Sequence, residues 1–481
     1  MTIERASTGG ALPGGVPPAS VMSPSELTAD LDDRTPAGIA AGIGRRIRSG
    51  ALPPGSRLPT VREVARQLRV SPATVNQAWR ALAATGAIIA RGRAGTFVGE
   101  PGATLGARPA GRYQRLHPPS DSAFRVDLSR GTPDPALLPD LAAALREITA
   151  HEAGDLAAEY LGEAVLPALA AKVRGDWPFR AERLAVFDGA LDAIDRLLST
   201  HVRFGDTVAV EAPCFPPFLD LLARLGARPV PVALDESGPL PRELGRAVTE
   251  YGATVFLLQP RAQNPTGVSL SAARVRELTE ILGDTEVLVI EDDHSAGIAA
   301  AALRSLGARL PQRTVHVRSY SKSHGADLRL AVAGGPADLL DPVIERRMLG
   351  AGWTSRLLQR VLLTMLEDPA AARAVTEARG EYRRRAGELR RALAKQGVAV
   401  ARPDGINLWL PVADENAAMI SLAAAGIKVA PGGPFEVGEQ PDSDHLRLTV
   451  STLTEVDLRW LATELAAAAA AAPTYRRVRR S

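Results

Sequence analysis

The chain has 481 residues, too many for one compact core, so two or more domains are expected. A single cysteine, Cys214, excludes an intrachain disulfide, and no apolar run reaches the eighteen or so residues of a membrane helix. The formal net charge is only +3, yet ten arginines and one acid, Glu63, put about +9 on the 63 residues from Pro36 to Val98 and leave the rest at about −6, the footprint of a polyanion-binding module on a mildly acidic body.

Residues 1–35 are rich in Gly, Pro, Ser and Thr, carry no secretory apolar core and read as a mobile tail. Within 36–98, Ile39, Ile43 and Ile47 recur every four residues and predict a helix that Gly50 ends. Thr60-Val61-Arg62-Glu63 is a capping box opening a second helix with Val64 and Leu68 on its apolar face. Ser71-Pro72, an N-cap followed by proline at the first helical position, opens a third with Val75, Ala78 and Leu82 inward. The short turn between the last two makes a helix-turn-helix, and I-I-A-R-G-R-A-G-T-F-V supplies two strands around a Gly- and Arg-rich tip, a wing.

This segment closely resembles the winged helix-turn-helix of the GntR family, through G-A-L-P-P-G-S-R-L-P-T-V-R-E-V-A-R-Q-L-R-V-S-P-A-T-V-N-Q-A-W-R-A-L. The resemblance implies that Arg62 contacts double-stranded operator DNA and that Ser71, Thr74 and Asn76 face the major groove. Asn76 and Gln77 suit adenine edges, and Arg91 and Arg93 on the wing suit phosphate or the minor groove. Pro72 and Asn76 stand where many relatives carry arginine.

Residues 99–125 read as an interdomain linker, and from 126 to 474 apolar runs of strand length alternate with amphipathic stretches. That alternation predicts an α/β domain with a mainly parallel sheet. Residues 475–481 form a basic tail. Polar motifs fall at the carboxyl ends of the predicted strands, the edge where open α/β sheets bind ligands. Leu184–Phe187 leads to Gly189 and Ala190 at a helix start, which suits a phosphate. Val208–Glu211 presents Phe215, Thr254–Gln259 presents Asn264, Val287–Ile290 presents Asp292, and Val315–Val317 presents Ser319, Ser321 and Lys322.

These residue types suit pyridoxal 5′-phosphate. A lysine amine forms a Schiff base with the aldehyde. A carboxylate keeps the pyridine nitrogen protonated, so the ring acts as an electron sink. An asparagine donates to the ring oxygen, an aromatic side chain stacks on the ring, and hydroxyls, amides and an arginine hold the phosphate. The set calls for no metal.

Taken in order, it resembles the fold-type I aminotransferases and specifically the MocR subgroup of GntR regulators. The resemblance implies a large α/β/α domain with a smaller α+β domain, Lys322 as the Schiff-base lysine, Asp292 at the pyridine nitrogen, Asn264 at the ring oxygen and Phe215 stacked. Ser319 and Arg329 join Gly189 and Ala190 around the phosphate. Tyr160 reaches the partner subunit's site, and Arg447, with Gly131 and the loop near Gly432 beside it, grips an effector carboxylate. His294 stands where relatives usually have a tyrosine donating to the ring oxygen, a role a histidine can fill in the right tautomer. Asp188 stands where a serine or threonine often meets the phosphate, and its charge repels unless it points away. The expectation is a cytoplasmic, homodimeric, pyridoxal-phosphate-dependent transcriptional regulator sensing an amino acid or amine. The alternative is a working aminotransferase carrying an accessory DNA-binding module.

Overall fold

Met1–Gly106 and Ala107–Ser481 form two units. The computed structural model describes residues 22–29, 31, 33–48, 51–84, 87–90, 92–99, 111–116, 124–151, 163–438, 444–454 and 456–471.

The first unit contains helices α1 (Pro24–Thr28), α2 (Pro36–Arg48), α3 (Val61–Leu68) and α4 (Pro72–Ala84). Strands β1 (Arg57–Leu58), β2 (Ile88–Ala90) and β3 (Thr96–Val98) make an antiparallel sheet in the order β1-β3-β2. The Thr60 capping box forms: the Glu63 carboxylate accepts from the Thr60 amide at 2.8 Å and the Thr60 hydroxyl accepts from the Glu63 amide at 3.4 Å. Arg69 ends α3 in left-handed backbone, φ +57°, and the Thr74 amide donates to Ser71 Oγ at 3.1 Å to start α4. Ile39, Ile43, Val64, Leu68, Val75 and Leu82 are all buried, on helices α2, α3 and α4. Helix α1 falls inside the stretch read as a mobile tail. Ser23 and Glu26 close a capping box of their own, and Leu27 is fully buried. Five residues are too short for a periodic signal, so a single buried leucine and a cap decide the helix.

The second unit opens with α5 (Arg112–Leu116), inside the stretch read as linker, then β4 (Val126–Asp127), α6 (Leu141–His151) and α7 (Pro167–Arg174). Its main sheet is built from β5 (Arg183–Phe187), β6 (Thr207–Ala212), β7 (Arg228–Asp235), β8 (Gly238–Pro239), β9 (Ala253–Leu258), β10 (Leu288–Asp293), β11 (Thr314–Ser319) and β12 (Ala331–Gly335). The strand order is β5-β12-β11-β10-β9-β6-β7-β8, parallel except for β12 and β8. Helices α8 (Ala190–His201), α9 (Pro216–Leu225), α10 (Pro241–Thr249), α11 (Ala272–Leu282) and α12 (Ala337–Met348) follow strands of this sheet. Buried Val208, Val210, Ile290, Val315 and Val317 form its core, with Ile194, Leu197 and Leu222 from α8 and α9. Strands buried on both faces read as continuous apolar runs, which is why the sequence shows them plainly.

Helices α13 (Arg356–Glu367) and α14 (Pro369–Lys395) lead to a smaller lobe. There β13 (Asn407–Val412), β15 (Ala430–Pro431) and β16 (Asp444–Thr449) form an antiparallel sheet, covered by α15 (Glu415–Ala424) and α16 (Leu458–Ala469). Strand β14 (Ile427–Lys428) pairs in parallel with β4. Among the described residues no helix is long and apolar enough to cross a membrane.

Candidate functional site

Two surfaces of different chemistry emerge, one in each unit. In the first, Arg62 and Arg66 on α3 and Ser71, Asn76 and Gln77 at the start of α4 are exposed, while Val75, Ala78 and Leu82 of α4 point inward. Thr74 is half-buried, and its hydroxyl lies 2.8 Å from Ser71 Oγ, so it serves the cap as well as the face. Arg91 and the side chain of Arg93 lie outside the described residues.

In the second unit the carboxyl ends of β5, β6, β9, β10 and β11 converge, because these five strands run parallel. Asp292 lies within β10, one residue before its end, and is 2% exposed. Its Oδ2 accepts from Gln259 Nε2 at 2.8 Å, while its Oδ1 is buried with no partner among the described residues. A buried acceptor left open in this way is costly unless a donor fills it. The neighbouring carboxylate, Asp293, faces the opposite side of the strand, as pleating requires. There Arg261 grips it through two hydrogen bonds of 2.7 and 2.8 Å. Burial alone would raise Asp293, but Arg261 and His316 hold it well below the usual carboxylate range. Asp292 has no such clamp, so burial raises it, with Gln259 and the Lys322 charge opposing.

Lys322 follows β11 and meets Nδ1 of His294 in hydrogen-bond contact. Burial lowers its pKa, opposed by Asp292 and aided by Arg447. A lysine held this way spends more of its time as the free, nucleophilic amine. Asn264 is 5% exposed, its amide donates to Gln259 Oε1 at 2.8 Å, and its Oδ1 accepts from Asn407 of the small lobe at 3.3 Å. Gln259 thus orients both Asp292 and the Asn264 backbone. Sequence reading took it only as the end of a strand, and its signal was a lone amide closing an apolar run.

At the carboxyl end of β5, Gly189 caps α8 with φ +104°, and a Cβ there would lie 2.8 Å from an Arg329 guanidinium nitrogen. That guanidinium donates to the Asp188 carbonyl at 3.1 Å, so Arg329 and the amide end of α8, at Gly189 and Ala190, come together. Ser319, buried at the end of β11, accepts from the Ser321 amide at 3.3 Å. The Asp188 carboxylate turns to Arg347, 3.0 Å away, which removes the repulsion expected from its charge. Phe215 caps α9 and is half-buried, its ring edge-on to Phe218 at 5.3 Å.

Arg447 on β16 is 2% exposed. It donates to the Ser129 carbonyl, its Nε has no partner, and no carboxylate among the described residues lies within ion-pair distance. Gly131, φ +67°, lies against it, and a Cβ there would sit 3.2 Å from Arg447 Nη1. Tyr160 falls at 152–162, outside the described residues.

The residues fit pyridoxal 5′-phosphate on three features: the orphaned Asp292 Oδ1 for a ring N–H, the buried Lys322 amine for an aldehyde, and a helix N-terminus with an arginine for an anion.

Comparison with known proteins agrees in outline. Residues 125–465 match the family model "Aminotransferase class I and II", and residues 36–98 match "Bacterial regulatory proteins, gntR family". The chain is 35% identical to the vitamin B6 salvage pathway transcriptional repressor PtsJ of Salmonella typhimurium, over 90% of this chain and 98% of that one. It is 28% identical to the HTH-type transcriptional regulator TauR of Rhodobacter capsulatus, over 85% and 90%. Among solved structures, kynurenine aminotransferase from Pyrococcus horikoshii superposes with a TM-score of 0.66 at 21% identity, covering 72% of this chain and 91% of that one. The α-aminoadipate aminotransferase LysN from Thermus thermophilus superposes at 0.67 and 23%, covering 75% and 94%. At these identities the likeness is one of fold.

Proposed function

The chain belongs to the aminotransferase class I and II family joined to a gntR-family module, the MocR arrangement, and is a pyridoxal 5′-phosphate-dependent DNA-binding transcriptional regulator; from that premise we propose that it reads an α-amino acid through Lys322 and Arg447. The observation that carries this reading is Arg447: a buried guanidinium without a carboxylate partner, in the same unit as Lys322 and acting on its charge. A buried cation that no residue neutralises awaits an anion from solution. An effector with both an amine and a carboxylate satisfies both ends, which favours an amino acid over a simple amine.

When bound, the cofactor supplies an aldehyde for amine capture and an electron-poor ring. Asp292 Oδ1 would accept from its ring nitrogen, and Gln259 keeps that carboxylate in place. Gly189, Ala190, Ser319 and Arg329 hold the phosphate. Asn264 and Phe215 orient the ring. Lys322 would hold the aldehyde carbon through its amine, and Arg447 would fix the effector's carboxylate. On DNA, Arg62, Ser71, Thr74, Asn76, Gln77, Arg91 and Arg93 form the contact face. We place the protein in the cytoplasm as a homodimer, with Tyr160 completing the partner's site. Exposed Leu141 and Leu357 on the packed helices α6 and α13 support such an interface.

Helix α5, which follows the DNA-binding unit in chain order, is tied to both lobes of the second unit. Its first two amides donate to Asp220 of α9, at 2.9 and 3.0 Å, and the Arg112 side chain donates to the carbonyls of Pro434 and Glu436, at 3.2 and 2.6 Å. Leu116 is buried with Ala430 and Phe435, against Phe215 and Trp409. The helix therefore bridges the large-lobe element that carries Phe215 and the small-lobe loop beside Arg447. Movement of one lobe on the other must strain or turn it. Arg112→Ala is expected to leave the visible cofactor band and its response to L-amino acids intact while abolishing the effect of those amino acids on operator affinity. An undiminished effect on operator affinity would show that the ties of α5 to the two lobes play no part in the response.

The test of the whole reading separates its halves. Arg62→Ala should weaken operator binding by about 1–3 kcal/mol, measured by fluorescence anisotropy, and leave the cofactor band unchanged. Loss of the band instead would show that the two functions are assigned to the wrong units. The likeness to a repressor of vitamin B6 salvage supports a second reading, in which cofactor loading is itself the signal. Operator affinity of cofactor-free against loaded protein, without amino acid, distinguishes the two.

A further inference from the structure

We infer that His294 accepts a hydrogen bond from the Lys322 amine and donates none to the cofactor, the reverse of the polarity that a tyrosine in its place would have. This rests on Lys322 as the cofactor-bearing residue.

The carbonyl oxygen of Ala262 lies 2.9 Å from His294 Nε2. A carbonyl only accepts, so Nε2 carries the ring hydrogen. The carbonyl is not free to turn away. Ala262 sits in left-handed backbone, φ +48°, its amide donates to Ser269 Oγ at 2.8 Å, and the preceding Arg261 is locked onto Asp293. An imidazole that keeps its Nε2 hydrogen gains one on Nδ1 only by becoming a cation. Burial first, and then the charge of Lys322, hold His294 well below its ordinary pKa, so that cation is disfavoured. Nδ1 is therefore a lone pair. Lys322 Nζ meets it. The charged groups around the pair are Asp292 and Asp293 on β10, Arg261 before it, and Arg447 on β16.

With the cofactor on Lys322, His294 Nδ1 would offer the proton of the linking nitrogen an acceptor besides the ring oxygen. A donor at this position would instead stabilise the negative ring oxygen and make that proton easier to lose. Histidine here holds the proton to higher pH, which keeps the linkage in the form an incoming amine attacks most readily.

Two measurements on the full-length protein test this. In cofactor-free protein with ¹⁵N-labelled histidine, the His294 signal, assigned by its absence in His294→Phe, should report the Nε2–H tautomer. An Nδ1–H tautomer overturns the inference with no reference to cofactor. After loading with pyridoxal 5′-phosphate, the midpoint of the visible band's pH titration should fall by about one unit in His294→Phe, the worth of one charge-assisted hydrogen bond. A rise would mean that the histidine had been donating to the ring oxygen, and either a rise or an unmoved midpoint overturns the inference. If the native protein develops no band at all, the Lys322 reading fails, while the tautomer still decides the polarity of His294.

Discussion

Lys322→Ala, incubated with pyridoxal 5′-phosphate, should develop no visible band and should lose the cofactor on gel filtration. The effect is total because nothing else can take over. The chain has four lysines; Lys172 and Lys395 are exposed on helices, and Lys428 lies in β14 with its ammonium 5.7 Å from the Phe124 ring. None stands at the sheet edge where Asp292 and Asn264 converge. Lys322→Arg is the informative control, because a guanidinium keeps the charge but lacks a free amine. It too should give no band. In the alanine variant Asp292 also loses the cation that opposes its burial, so its carboxyl moves further up and becomes a poorer partner for a protonated ring nitrogen. Cofactor retained with an undiminished band in Lys322→Ala would remove Lys322 from the centre of the site.

The DNA-binding module was legible almost residue by residue because its signals are local. Thr60 and Glu63, Ser71 and Thr74, and the turn at Arg69 act within three or four positions of one another. The parallel strands of the second unit were legible for a different reason, since burial on both faces leaves an unbroken apolar run. The order of those strands was not, and β12 enters antiparallel between β5 and β11 without a mark in its own composition. The polar partners of the site were legible least. Gln259 reaches Asp292 across 33 positions, Arg347 takes up Asp188 across 159, and Arg112 meets Glu436 across 324. Such pairs depend on which side chains the tertiary fold brings together, and no periodicity records that. His294 shows the same limit at shorter range. Its identity was plain, but its tautomer is set by a carbonyl on a left-handed turn 32 positions earlier.

Arg447→Gln should separate binding from stability in opposite directions. With the native residue, L-amino acids are expected to perturb the cofactor band and the corresponding decarboxylated amines are not. Removing the guanidinium should cost amino acids about 2–5 kcal/mol of affinity, roughly 30-fold to several thousandfold, because the lost contact is a desolvated charge pair. Amines should be unaffected, so the discrimination disappears. The thermal midpoint without effector should hold or rise. Burial already pushes the Arg447 guanidinium down to about 10, the mark of a cation paying for its desolvation without a carboxylate beside it. Glutamine keeps a donor for the Ser129 carbonyl and removes that penalty. A structural arginine would behave in the contrary way, with a midpoint several degrees lower and amino acids and amines affected alike. That outcome would return Arg447 to the small-lobe core and leave the effector without its carboxylate anchor.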